Sequence, residues 1–175
     1  TADGGYLVLG YSWTSRGTAL LKFTADGDIL WNKIFDVLPF LHNIVSHRVS
    51  DGIIVASASR VLKVNDSGSV VWKKSLQING FQLHAMGLSS DNGVILAGKS
   101  SRKVVLVRVS SDGKVDWKAT YLLKDPWFSI SNVTKTSDDG YVISGTKFNG
   151  PNYENPDGLV VKIDSKQRLI FRKKF

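Results

Sequence analysis

The sequence predicts an all-β fold assembled from four imperfect repeats, each a four-stranded antiparallel meander. Three observations predict it. Two short phrases recur in the same order along the 175 residues, every phrase reads as strand closed by turn residues, and no window carries helical periodicity.

The first phrase is Asp3-Gly4-Gly5-Tyr6-Leu7-Val8-Leu9-Gly10. It returns as Asp51-Gly52-Ile53-Ile54-Val55-Ala56-Ser57, as Asp91-Asn92-Gly93-Val94-Ile95-Leu96-Ala97-Gly98, and as Asp138-Asp139-Gly140-Tyr141-Val142-Ile143-Ser144-Gly145. The second phrase runs Leu20-Leu21-Lys22-Phe23-Thr24-Ala25-Asp26-Gly27-Asp28-Ile29-Leu30-Trp31. Its echoes lie at 61–72, 105–117 and 160–171, and they end in Trp72, Trp117 and Phe171. The apolar runs are short, rich in Val, Ile, Leu and aromatic residues, and bounded by Asp-Gly or Ser-Gly, which accept the backbone of tight hairpin turns. Unbroken runs such as Tyr6-Leu7-Val8-Leu9 predict burial on both faces, whereas Leu20-Leu21-Lys22-Phe23 and Val61-Leu62-Lys63-Val64 predict alternation between inside and outside.

The last repeat supplies the complete unit: strands over Phe128–Lys135, Tyr141–Gly145, Leu159–Asp164 and Leu169–Lys173. One such sheet cannot bury both of its faces, so neighbouring units must stack, and radial stacking makes a β-propeller. Trp31, Trp72, Trp117 and Phe171, spaced by 41, 45 and 54 residues, put a large ring at one place in every unit, where it is expected to dock one blade on the next. The expected organisation is a single propeller region over 1–175, with repeats at about 1–35, 36–76, 77–121 and 122–175. The first repeat begins at its second strand, since nothing precedes Asp3 to match Phe128–Lys135. This predicts a portion of a longer propeller, or else a four-bladed ring with one defective blade, and it leaves room for self-association that completes the ring.

Composition narrows the function classes. The formal charge is +8, with 23 Lys and Arg against 15 Asp and Glu, an excess that can attract polyanions. The lysines recur once or twice per repeat (Lys22, Lys33, Lys63, Lys73, Lys74, Lys118, Lys162, Lys173, Lys174), which predicts solvated strand edges and faces and disfavours a dedicated nucleic-acid surface. There is no cysteine, hence no disulfide framework and no thiolate metal site. No stretch reaches the roughly 20 apolar residues of a membrane-spanning helix.

The phrase Lys22-Phe23-Thr24-Ala25-Asp26-Gly27-Asp28-Ile29-Leu30-Trp31 and its echoes at 63–72 and 108–117 resemble the repeats of the bacterial and archaeal PQQ-like propeller superfamily. The Asp-Gly-Gly-Tyr-Leu-Val-Leu-Gly phrase resembles related repeats of predicted secreted and cell-surface prokaryotic proteins. The resemblance covers essentially the whole chain and implies a propeller whose tryptophans dock between blades. The fourth copy departs from it, with Gln167 for the turn glycine and Phe171 for the tryptophan. Quinoprotein dehydrogenases of that superfamily hold their cofactor with a metal ion and with acidic and amide ligands; no such constellation occurs here, so neither cofactor nor metal is expected.

The residues that could carry chemistry read mostly as structure. His42 and His47 fall in the first strand of the second unit and His84 in the corresponding strand of the third; a metal would need two or three converging ligands. Asp3, Asp51, Asp91, Asp138 and Asp139 precede turn glycines once per repeat, which marks a backbone device rather than a unique catalytic pair. No phosphate-cradling loop, calcium loop or nucleophile elbow is present. Outside the docking series, Trp13, Trp127 and Tyr153 sit in turns, the last within an Asn-, Gly- and Pro-rich insert at 148–157, and loops on a rigid scaffold are where recognition usually resides. Asn65-Asp66-Ser67 and Asn132-Val133-Thr134 match the N-glycosylation pattern, Asn65 in a turn and Asn132 mid-strand.

The sequence therefore predicts a non-catalytic propeller scaffold that binds a protein or glycan at the cell surface or in the envelope, with a cytoplasmic site left open. The alternatives are a lectin-like binder of acidic carbohydrate and a part of a larger enzyme whose active site lies outside this segment.

Overall fold

The computed structural model describes residues 1, 3–15, 17–35, 44–57, 60–122, 128–148 and 156–175. The chain has a β-propeller fold, and among the described residues there is no helix. Blade 1 has three strands, β1 (Tyr6–Ser12), β2 (Gly17–Phe23) and β3 (Ile29–Phe35). Blade 2 has four: β4 (Ile44–Val49), β5 (Gly52–Ser57), β6 (Arg60–Val64) and β7 (Val70–Ser75). Blade 3 follows with β8 (Gln82–Leu88), β9 (Val94–Ser100), β10 (Lys103–Val109) and β11 (Val115–Leu122). Blade 4 ends the series with β12 (Phe128–Lys135), β13 (Tyr141–Lys147), β14 (Asp157–Ile163) and β15 (Leu169–Lys174). Each sheet pairs its strands in sequence order, antiparallel throughout. Two compact units hold two blades each: Thr1–Leu76 and Gln77–Phe175.

In the first unit, Leu20 and Phe35 of blade 1 are buried with Ile53, Val55, Leu62 and Val64 of blade 2, and Leu7, Leu9 and Trp31 pack against them. Burying such side chains contributes about 1.5–3 kcal/mol apiece. The Trp31 indole also donates from Nε1 to the Asp66 carbonyl, 3.1 Å away in the turn of blade 2. In the second unit the core joins Ala85, Ile95, Ala97, Val104 and Leu106 of blade 3 to Phe128, Ile130, Val133, Tyr141, Ile143, Leu159, Val161 and Ile163 of blade 4. Trp117 meets Tyr141 edge-on, with ring centroids 6.0 Å apart. Tyr121 donates its hydroxyl to the Gln167 carbonyl at 2.8 Å. Tyr121 thus makes the same kind of bond as Trp31, from an outer strand to the third-to-fourth-strand turn of the following blade.

That turn is built alike in all four blades. The first turn residue donates its amide to a carbonyl four residues on (Thr24 to Asp28, Asn65 to Ser69, Ser110 to Lys114, Asp164 to Arg168), at 2.8–3.0 Å. The residue before that acceptor is left-handed: φ is 93° at Gly27, 81° at Gly68, 84° at Gly113 and 59° at Gln167. The fourth copy therefore departs in sequence but keeps the turn, and Gln167 adopts a backbone that favours glycine.

A second shared device fastens the turn that precedes the second strand. The third strand of the repeat unit, which is β2, β6, β10 and β14 in the four blades, carries a cation that reaches the phrase-opening aspartate: Lys22 to Asp3 at 2.5 Å, Lys63 to Asp51 at 2.7 Å, Arg108 to Asp91 at 3.1 Å and Lys162 to Asp138 at 2.6 Å. This corrects the expectation that these lysines are solvated. Lys22 and Lys63 are buried, at 7% and 3% exposure, and Lys162 is nearly so. A buried ammonium is costly unless it is paired, and the turn carboxylate supplies the pair. Lys33, Lys73, Lys74, Lys118, Lys173 and Lys174 lie on outer strands and are exposed.

The sequence also predicts burial of β1 on both faces, and the structure differs. β5 is buried throughout, but Tyr6 and Val8 on β1 are 59% and 48% exposed. Among the described residues β1 pairs with β2 alone, where β5, β9 and β13 each lie between two strands. One glycine position shows the same difference. A Cβ on Gly98 or Gly145 would run into the Gln82 or Ser129 carbonyl of the adjacent first strand, whereas Gly10, at the equivalent place on β1, has nothing within 4 Å.

Gly98→Ala and Gly145→Ala should each lower stability by about 1–3 kcal/mol, while Gly10→Ala leaves it unchanged. Urea unfolding of the three variants checks this; an equal loss at Gly10 would mean that a strand lies along β1 in solution. Gln167→Gly should raise the unfolding midpoint, by about 0.5–1 kcal/mol of stability, and loss of stability would show that the side chain matters more than the backbone.

Acid should unfold the chain through the turn aspartates. Hydrogen bonds from Lys22 and Thr1 hold the Asp3 carboxyl far below the usual range, and Lys162 and Thr136 do the same for Asp138; Lys63 lowers Asp51. Each folded value lies below the unfolded one, about 3.9. The stabilisation is therefore complete above about pH 4 and is lost as the pH falls through the depressed values. Unfolding midpoints should be level in this respect from pH 7 to 5 and fall below pH 4, and Asp138→Asn should flatten that fall.

Candidate functional site

Strand register gathers the loop residues at one end of each sheet. In blade 4, Phe128 pairs with Lys147, and Lys147 with Asp157. In blade 3, Gln82, Lys99, Ser100, Lys103 and Leu122 share the matching end. In blade 1 it is the Ser12–Gly17 hairpin end. Trp127 and Tyr153, two of the three aromatic residues expected to contact a ligand, lie outside the described residues, as does His42. In sequence, Trp127 precedes Phe128 and Tyr153 falls between Lys147 and Asp157.

Trp13 belongs to the same class of loop. It is 73% exposed, and its ring meets that of Tyr11 edge-on with centroids 5.4 Å apart. Such an arrangement holds an indole face toward solvent and can stack on a sugar or a flat side chain. Of the remaining docking residues, Trp72 stands half-buried on β7 opposite Lys63, and Phe171 is 38% exposed, with the Lys173 ammonium 5.6 Å from its ring centre.

The Asn65 carboxamide oxygen accepts from the Ser67 and Ser69 amides at 3.1 and 2.9 Å and from the Ser67 hydroxyl at 2.8 Å, so it organises its turn. Asn132 is exposed beside a register shift in β12, and its Nδ2 donates to Thr134 Oγ1 at 3.3 Å.

The most unusual chemistry at the loop end involves His84 and Lys99, in the second unit. β8 slips register between Leu83 and Ala85, leaving His84 unpaired in the ladder, and β12 slips at the corresponding place around Ser131. Such bulges re-aim a side chain. Lys99 donates from Nζ to the Phe128 carbonyl at 2.7 Å and lies over the Phe128 ring, 4.7 Å from its centre. Among the described residues no carboxylate pairs with Lys99, and His84 Nε2 is buried without a hydrogen-bond partner. Burial pushes Lys99 below its usual range; burial, and then the charge of Lys99, do the same to His84. A half-buried cation beside an unpartnered imidazole nitrogen can bind an acceptor or an anion. The sequence reading had His84 but not Lys99. The signal was that Lys99 breaks the repeat, since Tyr11, Ala58 and Thr146 hold the same place in the other copies.

Among the described residues, no group of three or more His, Asp or Glu is placed to hold a metal ion, and no helix is long and apolar enough to cross a membrane. His47 pairs with Ile54 on blade 2.

No family model matches the sequence, and no curated protein is similar to it. Solved structures are similar. One is a protein of unknown function from Bacteroides caccae, with a TM-score of 0.56 at 14% identity over 97% of this chain and 72% of that one. Another is a catalytically inactive virginiamycin B lyase from Staphylococcus aureus with quinupristin, with a TM-score of 0.53 at 13% identity over 100% of this chain and 72% of that one. At this identity the likeness shows a propeller-like fold and no activity.

Proposed function

We propose that the chain is a non-catalytic binding scaffold whose loop ends hold a protein or glycan partner, at the cell surface or in the envelope. The observation that carries this reading is the Trp13 indole, 73% exposed and backed by Tyr11 on a loop of a rigid sheet. Singly exposed aromatic residues anchored in this way are favoured contact groups for sugars and proteins. Two further features support it. The recurring aspartates are occupied in pairs with third-strand cations, which leaves them a structural role. The sequence adds Trp127 and Tyr153 to the same set of aromatic residues outside the docking positions.

Membership of the PQQ-like repeat superfamily is part of the same proposal and rests on the Asp-Gly-x-x-x-Trp phrases. Glycosylation at Asn65 or Asn132 would accord with an extracytoplasmic site, and an intact mass carrying hexose units would detect it. The similar lyase does not favour a lyase reading here, because a shared fold carries no active site with it.

The test is calorimetric titration of the protein with neutral and acidic oligosaccharides, alongside Trp13→Ala. Binding by the parent that falls about tenfold or more in the variant, with an unchanged unfolding midpoint, supports the scaffold. Binding that is indifferent to Trp13, or turnover of any ligand, overturns it.

A further inference from the structure

The four blades obey one electrostatic rule. Each third-strand cation that the fold withdraws from water meets a carboxylate from its own sheet: Lys22 meets Asp3, Lys63 meets Asp51, Arg108 meets Asp91 and Lys162 meets Asp138. Lys99, also drawn from water, has no such partner among the described residues. It lies on the second strand, half-buried at the loop end of blade 3, and among the described residues its partners are a carbonyl oxygen and a ring face. An ammonium has three donors, and a single carbonyl uses one of them.

The surroundings point the same way. The bulge in β8 turns His84 out of the ladder, and Nε2 of that ring is buried with no partner. Gln82 stands opposite Lys99 in the register and is exposed. From β12 the facing groups are the Phe128 carbonyl and ring. Of the charged groups described, Lys99 is the one that acts on His84. Two nitrogen groups on the paired strands β8 and β9 therefore lie where no acid among the described residues neutralises them, and an oxyanion is the ligand class that would satisfy both.

We infer that Lys99 and His84 form an anion subsite that takes the carboxylate or sulfate group of an acidic glycan, Lys99 as charge partner and His84 Nε2–H as second donor. The glycan part rests on the scaffold reading above; the anion part does not. Binding would stabilise both cationic forms, so occupancy must raise the proton affinity of His84.

The experiment follows the His84 ring nitrogens by NMR through a pH titration of the labelled protein. The probes are sodium sulfate, sodium acetate and a sulfated uronate oligosaccharide, each against sodium chloride at equal ionic strength. A saturable upward shift of the His84 titration with sulfate or acetate, lost in Lys99→Gln, is the expected result. A response equal to that of chloride, or one retained in Lys99→Gln, overturns the subsite. The oligosaccharide separates the sources: it should bind about tenfold more weakly to Lys99→Gln than to the parent. A His84 shift with inorganic sulfate but no oligosaccharide binding keeps the anion subsite and removes the glycan. Oligosaccharide binding that is sensitive to Trp13→Ala but not to Lys99→Gln keeps the scaffold and removes the subsite. The unfolding midpoint of Lys99→Gln shows whether the lost Phe128 contact has disturbed the fold, and His84→Gln then serves as the second variant, judged by oligosaccharide affinity.

Discussion

A cation taken out of water must find a negative partner, and in this chain that need ties the far end of each blade together. The third strand is central in its sheet, so a lysine or arginine placed next to its last residue loses most of its hydration. The turn before the second strand returns an aspartate to the same spot, and the pair locks turn to strand. Replacing both partners by apolar residues could be nearly neutral, whereas removing the aspartate alone would leave an ammonium buried without its acid. The pair thus specifies where the second strand begins, and with it the register of the sheet. It also explains why the phrase opens on aspartate and not on any turn former. A glycine follows close behind because the chain there runs against the carbonyl that ends the third strand: a Cβ on Gly93 or Gly140 would collide with Val109 or Ile163.

The repeat itself was legible because its residues answer to local physics. Turn glycines, short apolar runs and a ring at the start of the outer strand placed the strands of blade 4 to within two residues at either end. What was not legible depends on partners distant in sequence. Nothing in Val61-Leu62-Lys63-Val64 says that Lys63 is inside, since the alternation pattern assigns a charged residue to solvent and only the contact with Asp51 overrules it. Tyr6 and Val8 read as buried because the apolar run Tyr6-Leu7-Val8-Leu9 is unbroken; their exposure goes with a sheet that has three strands among the described residues, a property of the neighbourhood and not of the phrase. Tyr121 escaped notice because its bond is to a backbone carbonyl 46 positions away, in a turn whose geometry Gln167 preserves without the glycine that marks it.

The candidate site was legible only in part, for a related reason. Trp13 was visible as an aromatic residue outside the periodic positions, and exposure is what such a residue in a hairpin shows. His84 was visible as a rare residue type, but the bulge that turns it out of the ladder is not encoded by any local motif. Lys99 looked like one more lysine in a basic chain. Its meaning comes from comparison with its own repeats, where the same position holds Tyr11, Ala58 or Thr146, none of them charged.

That comparison also gives the strongest ground for separating function from scaffold in a repeat protein. A residue that recurs in every blade answers to a need every blade has, such as a turn, a docking ring or a neutralised cation. A residue that occurs once, and violates the rule its neighbours keep, has to be explained by something the other blades do not do. The violation at Lys99 is not a matter of exposure, because burial does lower its proton affinity. Nor is it a matter of missing acids in the chain at large, since 15 aspartates and glutamates were available to be placed there. The fold puts a carboxylate against Lys22, Lys63, Arg108 and Lys162, and among the described residues it puts none against Lys99 at the loop end of blade 3. An arrangement of that kind costs stability in the isolated protein and recovers it when an anion arrives.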